Sequence, residues 1–216
     1  MSEARQAPKE ASRQAHWEGV YTSKEETTVS WFQDHPAPSL ELIERAGATK
    51  DTGIIDIGGG ASRLPDALLE RGFRHVAVLD VSQAALDVAC LRLGRRASEV
   101  QWITADVTEW SPPQRFDIWH DRAAFHFLID AADRAAYVAR LTEALRPGGY
   151  AIIATFATDG PEKCSGLVVN RYDAEGLARE LGEMFTLVET RRHDHLTPGN
   201  ATQRFQFSLF QRRGGI

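Results

Sequence analysis

Four aspartates lie at or near the ends of four successive apolar runs, and their carboxylates could hold a ligand through strong hydrogen bonds. They are Asp56, Asp80, Asp106 and Asp121. In an open, doubly wound α/β sheet the carboxyl ends of parallel strands meet at one edge, and ligands bind there. We therefore expect the four carboxylates to surround one site for a polar ligand with hydroxyl or cationic groups.

Three consecutive glycines, Gly58, Gly59 and Gly60, separate a β-branched run at residues 53–57 from an apolar helical pattern. This pattern predicts a strand, a tight turn and a helix. Glycine suits such a turn because the backbone must bend sharply and approach a ligand closely. Many folds use a glycine-rich turn, so the nearby acids have to indicate which ligand binds.

The position of Asp80, 20 residues after Gly60 and at the end of the second strand, suits hydrogen bonds from a ribose diol. A dinucleotide, and hence an NAD-dependent oxidoreductase, is the first interpretation to test. It fits less well because Arg63 replaces the third glycine of the GxGxxG pattern, and because Asp56 would oppose a pyrophosphate. A nucleoside with a cationic end and no phosphate, such as S-adenosylmethionine (SAM), fits better.

Strand and helix patterns alternate along the chain. Strands are predicted at 53–57, 75–80, 100–105, 116–120, 150–156, 185–190 and 205–210, and helices at 38–46, 64–71, 82–93, 133–145 and 173–181. This alternation predicts one α/β domain, residues 16–216, with a mostly parallel sheet covered on both faces. The last two strands are joined by too short a loop for a helix, which predicts an antiparallel hairpin.

The N-terminal residues divide into two parts. Residues 1–15 are polar with alternating charge, which predicts a mobile arm. Residues 16–36 contain Trp17, Tyr21, Trp31 and Phe32 and predict an aromatic cap over the site. The rings either shield a cationic ligand, an interaction of roughly 0.5–2 kcal/mol, or pack in the core, and both interpretations remain open.

Composition excludes several function classes. The 216 residues carry a formal net charge of −5, which disfavours binding to nucleic acid. With two cysteines and no apolar run of about 20 residues, we expect a cytoplasmic protein without disulfides or a membrane partner.

We expect no metal site, because His193 and His195 are predicted to be solvent-exposed hairpin histidines. Cys164 lacks a neighbouring histidine and is not expected to be a catalytic thiol.

Five segments together resemble the motifs of class I, seven-stranded SAM-dependent methyltransferases, over about residues 16–212. They are the glycine turn 56–62, the second strand end 78–80, residues 105–107, the fourth strand 116–122 and the turn 145–149. The resemblance implies the strand order 3-2-1-4-5-7-6 with the last strand antiparallel and helices on both faces. It also implies SAM as the cofactor and S-adenosylhomocysteine (SAH) as the product.

The resemblance further implies the site residues. Its cofactor contacts would be Asp56, Gly58, Gly59, Gly60, Ser62, Asp80, Val81, Asp106, Val107 and Asp121, with Tyr21 and Trp31 from the aromatic cap. Asp80 would bind the ribose and Asp106 the adenine amine. Catalysis then needs a nucleophile held in line with the S–CH₃ bond. If the acceptor must lose a proton, His120, Asp121 and His126 are candidate bases, although both histidines could instead be buried packing residues.

These observations predict a methyltransferase that acts on a small molecule or on a protein side chain such as lysine. The DxGxGxS form of residues 56–62 and the aromatic segment before it also resemble thiopurine-type S-methyltransferases and several protein-lysine methyltransferases. The lack of an added recognition domain favours a small acceptor. The alternatives are an NAD-dependent oxidoreductase and a regulatory protein that binds SAM without catalysis.

Overall fold

The computed structural model describes residues 9–214, with side chains from Arg13 onward, around a seven-stranded sheet. Its strands are β1 Gly53–Ile57, β2 His75–Asp80, β3 Val100–Thr104, β4 Phe116–Arg122, β5 Leu145–Phe156, β8 Phe185–Leu196 and β9 Thr202–Arg212; β6 Lys163–Cys164 and β7 Leu167–Val168 form a separate hairpin. The sheet order is β3-β2-β1-β4-β5-β9-β8. Strands β1 to β5 are parallel, and β9 is antiparallel to both β5 and β8. The predicted order 3-2-1-4-5-7-6, which counts only the strands of this sheet, is confirmed.

Six α-helices accompany the sheet within residues 9–214. They are α1 Lys9–Ser23, α2 Ala37–Arg45, α3 Leu64–Glu70, α4 Gln83–Leu93, α5 Ala131–Ala144 and α6 Ala174–Leu181. Alternate residues of β1 enter different cores: Ile54 packs with side chains of α2 and α3, and Ile55 with side chains of α5 and α6. The sheet is therefore covered on both faces, as its continuous apolar strands predict. Within residues 9–214 each helix is too short or too polar to cross a bilayer.

The residues that follow β2 place α4 beside the carboxyl edge of the sheet. Ser82 accepts a hydrogen bond from the backbone N–H of Ala85 at 3.1 Å and caps the helix, as its position in the sequence predicts. Asp80 in turn accepts a hydrogen bond from Ser82 N at 2.8 Å. The strand end and the helix start are thus fixed to each other at the predicted ribose site.

The predicted boundary between a mobile arm (1–15) and an aromatic cap (16–36) falls inside a helix. Residues 9–15 belong to α1, and residues 1–8 of the predicted arm lie outside the described residues. The carboxylate of Glu18 accepts hydrogen bonds from the first backbone N–H groups of α4, Gln83 N at 2.6 Å and Ala84 N at 3.2 Å. These long-range contacts hold α1 in place, although its sequence is too polar to predict a packed helix.

Other predictions need correction in the C-terminal half. Strand β5 begins at Leu145 rather than at 150, and residues 158–172, where the sequence predicts no strand or helix, contain the β6–β7 hairpin. Strand β8 extends to Leu196 and carries His193 and His195. His195 is only 4% exposed, and its Nε2 donates to the carbonyl of Ser30 at 2.9 Å, so the predicted solvent exposure is wrong for this residue.

Candidate active site

Two adjoining cavities lie at the carboxyl edge of the sheet, between the ends of β1, β2 and β4 and beneath α1. Seven of the predicted site residues line the first cavity: Tyr21, Trp31, Gly58, Asp80, Val81, Asp106 and Val107. The second is lined by Tyr21, Trp31, Asp56, Gly58, Gly59, Ser62 and His120. The fold thus gathers most of the predicted site in one place, but neither wall includes Gly60, Asp121 or His126.

The glycine turn is tightly enclosed. Gly58 has φ +63°, and a Cβ added to it would lie 2.6 Å from the Cβ of Ala124. A Cβ on Gly59 would lie 2.6 Å from Asp56 Oδ2 and 2.7 Å from Val78 Cγ1. These separations are too short for any side chain, so packing of the turn as well as its backbone conformation requires glycine.

We expect Gly58→Ala to reduce both folding stability and SAH affinity. The positive φ costs roughly 1–2 kcal/mol for a non-glycine residue, and the clash with Ala124 displaces the cavity wall. Gly47→Ala is the matched control, because Gly47 has φ +75° but nothing within 4 Å of the added Cβ. Both variants should unfold at lower denaturant concentration, and only Gly58→Ala should lose SAH affinity in calorimetric titration. Equal SAH affinities would contradict the assignment of this turn to the cofactor.

Asp80 is a buried acid on the wall of the first cavity. It is 7% exposed, and burial raises its pKa from the ordinary 3.8 to about 7. The hydrogen bond from Ser82 N opposes this shift, while the charge of Asp56 adds to it. Hydroxyl groups of a ligand would stabilise this buried carboxylate, because each hydrogen bond that they donate favours its ionised form.

Asp106 also faces the first cavity, but its carboxylate already has partners. Oδ1 accepts hydrogen bonds from the backbone N–H and hydroxyl of Thr108 at 2.9 and 2.7 Å, and Oδ2 forms an ion pair with Arg13. Arg13 also donates to Asp133 at 2.9 Å. The role implied for Asp106 at the adenine amine therefore requires the ligand to share Oδ2 with Arg13 or to displace it.

Helix α1 presents a stripe of residues to the first cavity. Arg13, Trp17 and Tyr21 recur every four positions, which places them on one helix face, and all three line the wall. Arg13 is a site residue that was not predicted from the sequence, although its spacing from Trp17 and Tyr21 was a signal for it.

The aromatic cap both packs on itself and lines the site. Trp17 makes edge-on contacts with Trp31 at 5.7 Å and with Phe127 at 5.0 Å between ring centroids. The indole N–H of Trp31 donates to the hydroxyl of Tyr21 at 3.1 Å. The two interpretations of the cap are therefore compatible, since the rings pack against each other and still form the cavity wall.

His120 belongs to a buried hydrogen-bonded chain in the second cavity. Its Nδ1 donates to Asp56 Oδ1 at 2.6 Å, and its Nε2 lies 2.8 Å from the hydroxyl of Ser39. All three side chains are buried. Asp56 Oδ2, in contrast, is buried without a hydrogen-bond partner. An unpaired buried carboxylate oxygen is costly, which makes it a natural place for a donor group of a ligand.

Two arginines of the second cavity also carry unpaired donors. Arg63 donates from Nη2 to Glu26 at 3.1 Å; its Nε lies 3.7 Å from Asp34 Oδ1 and has no hydrogen bond. Arg122 donates from Nη2 to the carbonyl of Trp31 at 2.7 Å, and its Nη1 has no partner. The sequence analysis did not single out Arg122. Its position two residues after His120 on β4 was the available signal, because such residues share a face.

The residues that line the two cavities are chemically complementary to SAM. The unpaired Asp56 Oδ2 and Arg63 Nε in the second cavity suit the ammonium and carboxylate of an amino-acid group. Asp80 in the first cavity suits a ribose diol, and Val81 and Val107 provide apolar contacts for an adenine ring. The glycine turn adjoins both groups of residues. A ligand with a zwitterionic end, a ribose and an apolar base is what these walls complement.

Asp121 lies on the other face of the sheet from the cavities. Its buried carboxylate accepts hydrogen bonds from Ala124 N at 2.8 Å, Phe125 N at 3.0 Å and the hydroxyl of Tyr137 at 2.7 Å. Burial raises its pKa to about 6. This geometry favours a structural role for Asp121, holding the loop after β4, over the predicted contact with cofactor or acceptor.

His126 is also enclosed. Its ring packs against Phe127 and Phe156, and Nδ1 accepts from the backbone N–H of Phe156 at 3.4 Å. Burial lowers its pKa to about 3. A fully buried, weakly basic imidazole is a poor proton acceptor at neutral pH, so this geometry opposes the predicted catalytic role and favours the packing interpretation.

Three further residues from the sequence analysis lie at or beside the cavities. Ser62 Oγ accepts from Leu64 N at 3.0 Å, so this hydroxyl serves the start of α3 although the residue lines the second cavity. Gly60 is off both walls, and a Cβ there would meet Asp80 Oδ2 and the Tyr21 hydroxyl at 3.0 Å. Cys164 lines the first cavity, where burial raises its pKa to about 11 and keeps the thiol neutral.

The chain is similar in sequence to known methyltransferases. Residues 54–149 match the family described as "Methyltransferase domain". A trans-aconitate 2-methyltransferase of Acidovorax sp. (strain JS42) is 32% identical over 117 residues, which cover 54% of this chain and 43% of that protein. The EEF1A lysine methyltransferase 2 of Danio rerio is 24% identical over 164 residues, 68% of this chain and 70% of that protein. The chain spans less than half the length of the first curated relatives that it matches.

Solved structures share the fold across nearly the whole chain. The 1,6-didemethyltoxoflavin-N1-methyltransferase of Burkholderia thailandensis, solved with bound 1,6-didemethyltoxoflavin and SAH, superposes with a TM-score of 0.68 at 22% identity. The match covers 99% of this chain and 93% of that one. The matched segment 54–149 contains the glycine turn, Asp80 and Asp106. Segment 54–149 is therefore similar to a methyltransferase domain, and the chain as a whole shares its fold with solved methyltransferases.

Proposed function

We propose that this protein transfers the methyl group of SAM to a small-molecule acceptor in the cytoplasm. The observation that carries the proposal is two groups beside the glycine turn that lack hydrogen-bond partners, Asp56 Oδ2 and Arg63 Nε, which are complementary to an amino-acid zwitterion. Asp80, the acid that we propose binds the ribose, lies in the adjoining cavity. Relatives named for trans-aconitate and for a protein lysine indicate the range of acceptors in the family. A small acceptor is favoured because α1 and its rings cover the site.

Catalysis on this proposal depends on binding and orientation. When bound, SAM supplies an electrophilic methyl group on a sulfonium. Trp17, Trp31 and Phe127 exclude water from the first cavity and hold the acceptor against that group. Such positioning is worth on the order of 7–11 kcal/mol of activation free energy. Rings beside a cation contribute roughly 0.5–2 kcal/mol more.

The role that we propose for His120 is to orient Asp56. The hydrogen bond from Nδ1 fixes Oδ1 and leaves Oδ2 for the cofactor ammonium. His120 thus acts through another residue, in place of the direct base role predicted from sequence. A base is needed only for acceptors that must lose a proton in the reaction.

Replacement of His120 distinguishes these two roles. We expect His120→Leu to weaken SAH binding about tenfold, which corresponds to roughly 1.4 kcal/mol, because Asp56 loses its orienting donor. Binding of 5′-methylthioadenosine, which lacks the amino-acid group, should stay unchanged, and both are measured by calorimetric titration. Ser39→Ala is the control, since it removes only the outer member of the chain. An unchanged SAH affinity with a lower kcat would instead support a direct base role.

The proposed activity is tested by titrating the protein with SAM, SAH and NADH, followed by transfer assays with labelled SAM. We expect micromolar binding of SAM and SAH, no binding of NADH, and methylation of at least one small acceptor. Binding of NADH alone would support the oxidoreductase alternative. Tight SAM binding with no transfer to small molecules or to proteins of a lysate would support a non-catalytic, regulatory function.

A further inference from the structure

Arg122 is a partly buried cation at the site with one unused hydrogen-bond donor. Its Nη2 donates to the carbonyl of Trp31 at 2.7 Å, and its guanidinium lies 5.9 Å from the ring centre of Phe205. The charge of Asp56 acts on the guanidinium, but Nη1 is buried without a hydrogen bond. A buried donor without a partner is costly unless a ligand supplies an acceptor.

The two guanidinium groups with an unused hydrogen-bond donor differ in what surrounds them. Arg63 borders only the second cavity, next to the glycine turn and Ser62, and forms ion pairs with Glu26 and Asp34. Arg122 borders both cavities and so reaches the first, where its fellow lining residues include Trp17, Phe127 and Cys164. The cofactor has a single carboxylate, which Arg63 suits by its place at the turn. One cation therefore remains for a second anion.

The space around Arg122 in the first cavity indicates the rest of that second ligand. Trp17, Trp31 and Phe127 present aromatic surface there, and the thiol of Cys164 is neutral. This wall has one charged donor beside several rings. It is complementary to a flat or apolar body that carries an acidic group at one end.

We propose that the methyl acceptor is a carboxylic acid with an aromatic or otherwise apolar body, and that Arg122 binds its carboxylate. This inference rests on the proposed methyltransferase function. A guanidinium binds a carboxylate through parallel N–H···O bonds, and the unpaired Nη1 is available for one of them. The carboxylate either receives the methyl group or serves as a handle that positions another nucleophile. Arg122 is in both cases a specificity-determining residue of the acceptor site.

The test compares benzoate with benzamide, which has the same shape and no charge, by calorimetric titration of the SAH complex. We expect wild-type protein to bind benzoate at least about tenfold more tightly than benzamide. Arg122→Gln should abolish this preference, and Arg122→Lys should retain part of it because the charge stays. Circular dichroism and thermal unfolding verify that each variant is folded. Equal binding of the two probes to wild-type protein overturns the inference.

A second comparison separates the acceptor from the cofactor. Arg122→Gln should change SAH affinity by less than about threefold, whereas Arg63→Gln should weaken SAH about tenfold and keep the preference for benzoate. If Arg122→Gln weakens SAH strongly while 5′-methylthioadenosine still binds, Arg122 holds the cofactor's own carboxylate and the inference is wrong. Failure of wild-type protein to bind SAH overturns the proposed function together with this inference. Normal SAH binding without a benzoate preference overturns the inference alone.

Discussion

We expect Asp80→Asn to weaken the binding of SAM and SAH alike, by roughly 1.5–3 kcal/mol, because a charge-assisted hydrogen bond to the ribose would be lost. The asparagine side chain has nearly the same shape and can still accept the hydrogen bond from Ser82 N, so the capped start of α4 is retained. Calorimetric titration measures the change. Asp87→Asn is the control, because Asp87 is an exposed acid of α4 outside the site. An affinity unchanged in Asp80→Asn would show that this residue does not bind the ribose.

The raised pKa of Asp80 adds a pH dependence to this result. With a pKa of about 7 in the free protein, the carboxyl group is mostly protonated at pH 6. Ribose hydroxyls bind the ionised form, so SAH affinity should rise between pH 6 and 8 and level off above pH 8. The limiting slope is about tenfold per pH unit. Asp80→Asn should show no such rise, and a flat profile in wild-type protein would contradict the assignment.

Folding stability changes in the opposite direction. The pKa of Asp80 is higher in the folded than in the unfolded protein, about 7 against 3.8. Its contribution to stability is thus fully present below pH 4 and is lost as pH rises through 7. Asparagine does not titrate, so Asp80→Asn should be more stable than wild type at pH 8, by on the order of 1–3 kcal/mol. Urea unfolding at pH 5 and pH 8 measures the difference, which should shrink at the lower pH.

Asp121→Ala is expected to destabilise the fold by about 3–5 kcal/mol, since removal of a buried, hydrogen-bonded charge leaves its partners unsatisfied. The partners are Ala124 N, Phe125 N and the Tyr137 hydroxyl. Tyr137→Phe is the matched variant: it removes one donor, keeps the carboxylate and should cost less. Urea unfolding provides the free energies.

This experiment also separates the structural role of Asp121 from the role predicted from its place in the sequence. A structural role predicts loss of stability in Asp121→Ala, with SAH affinity falling only as far as the loop after β4 is disturbed. A catalytic role predicts normal stability with loss of methyl transfer. A variant that unfolds at the wild-type urea concentration but transfers no methyl group would restore the original interpretation.

Much of the fold and the cofactor side of the site could be predicted from the sequence. The turn at Gly58 and the acid Asp80 are local features, and strand periodicity places them at one edge of the sheet. The ordered motifs then implied the strand order that the structure has. These predictions succeed because they depend on residues close together in the chain and on a topology with few alternatives.

The directions of the side chains on β4 were decided by the tertiary structure. His120, Asp121 and Arg122 are consecutive, but successive residues of a strand point to opposite faces. Helices cover both faces of this sheet, and both are apolar, so the sequence does not indicate which one borders the cavities. The packing of α5 directs Asp121 toward Tyr137 and leaves Arg122 at the site.

The position of helix α1 at the N-terminus also could not be predicted from the sequence. Its residues are mostly polar, and the pattern alone suggested a mobile arm followed by a cap. The helix is held by partners far away in sequence, with Glu18 at the start of α4 and Arg13 on Asp106. By itself the sequence determined the type of sheet, the glycine turn and the class of cofactor. Which charges meet at the site, and which remain unpaired for a ligand, depended on contacts between distant residues that only the folded chain brings together.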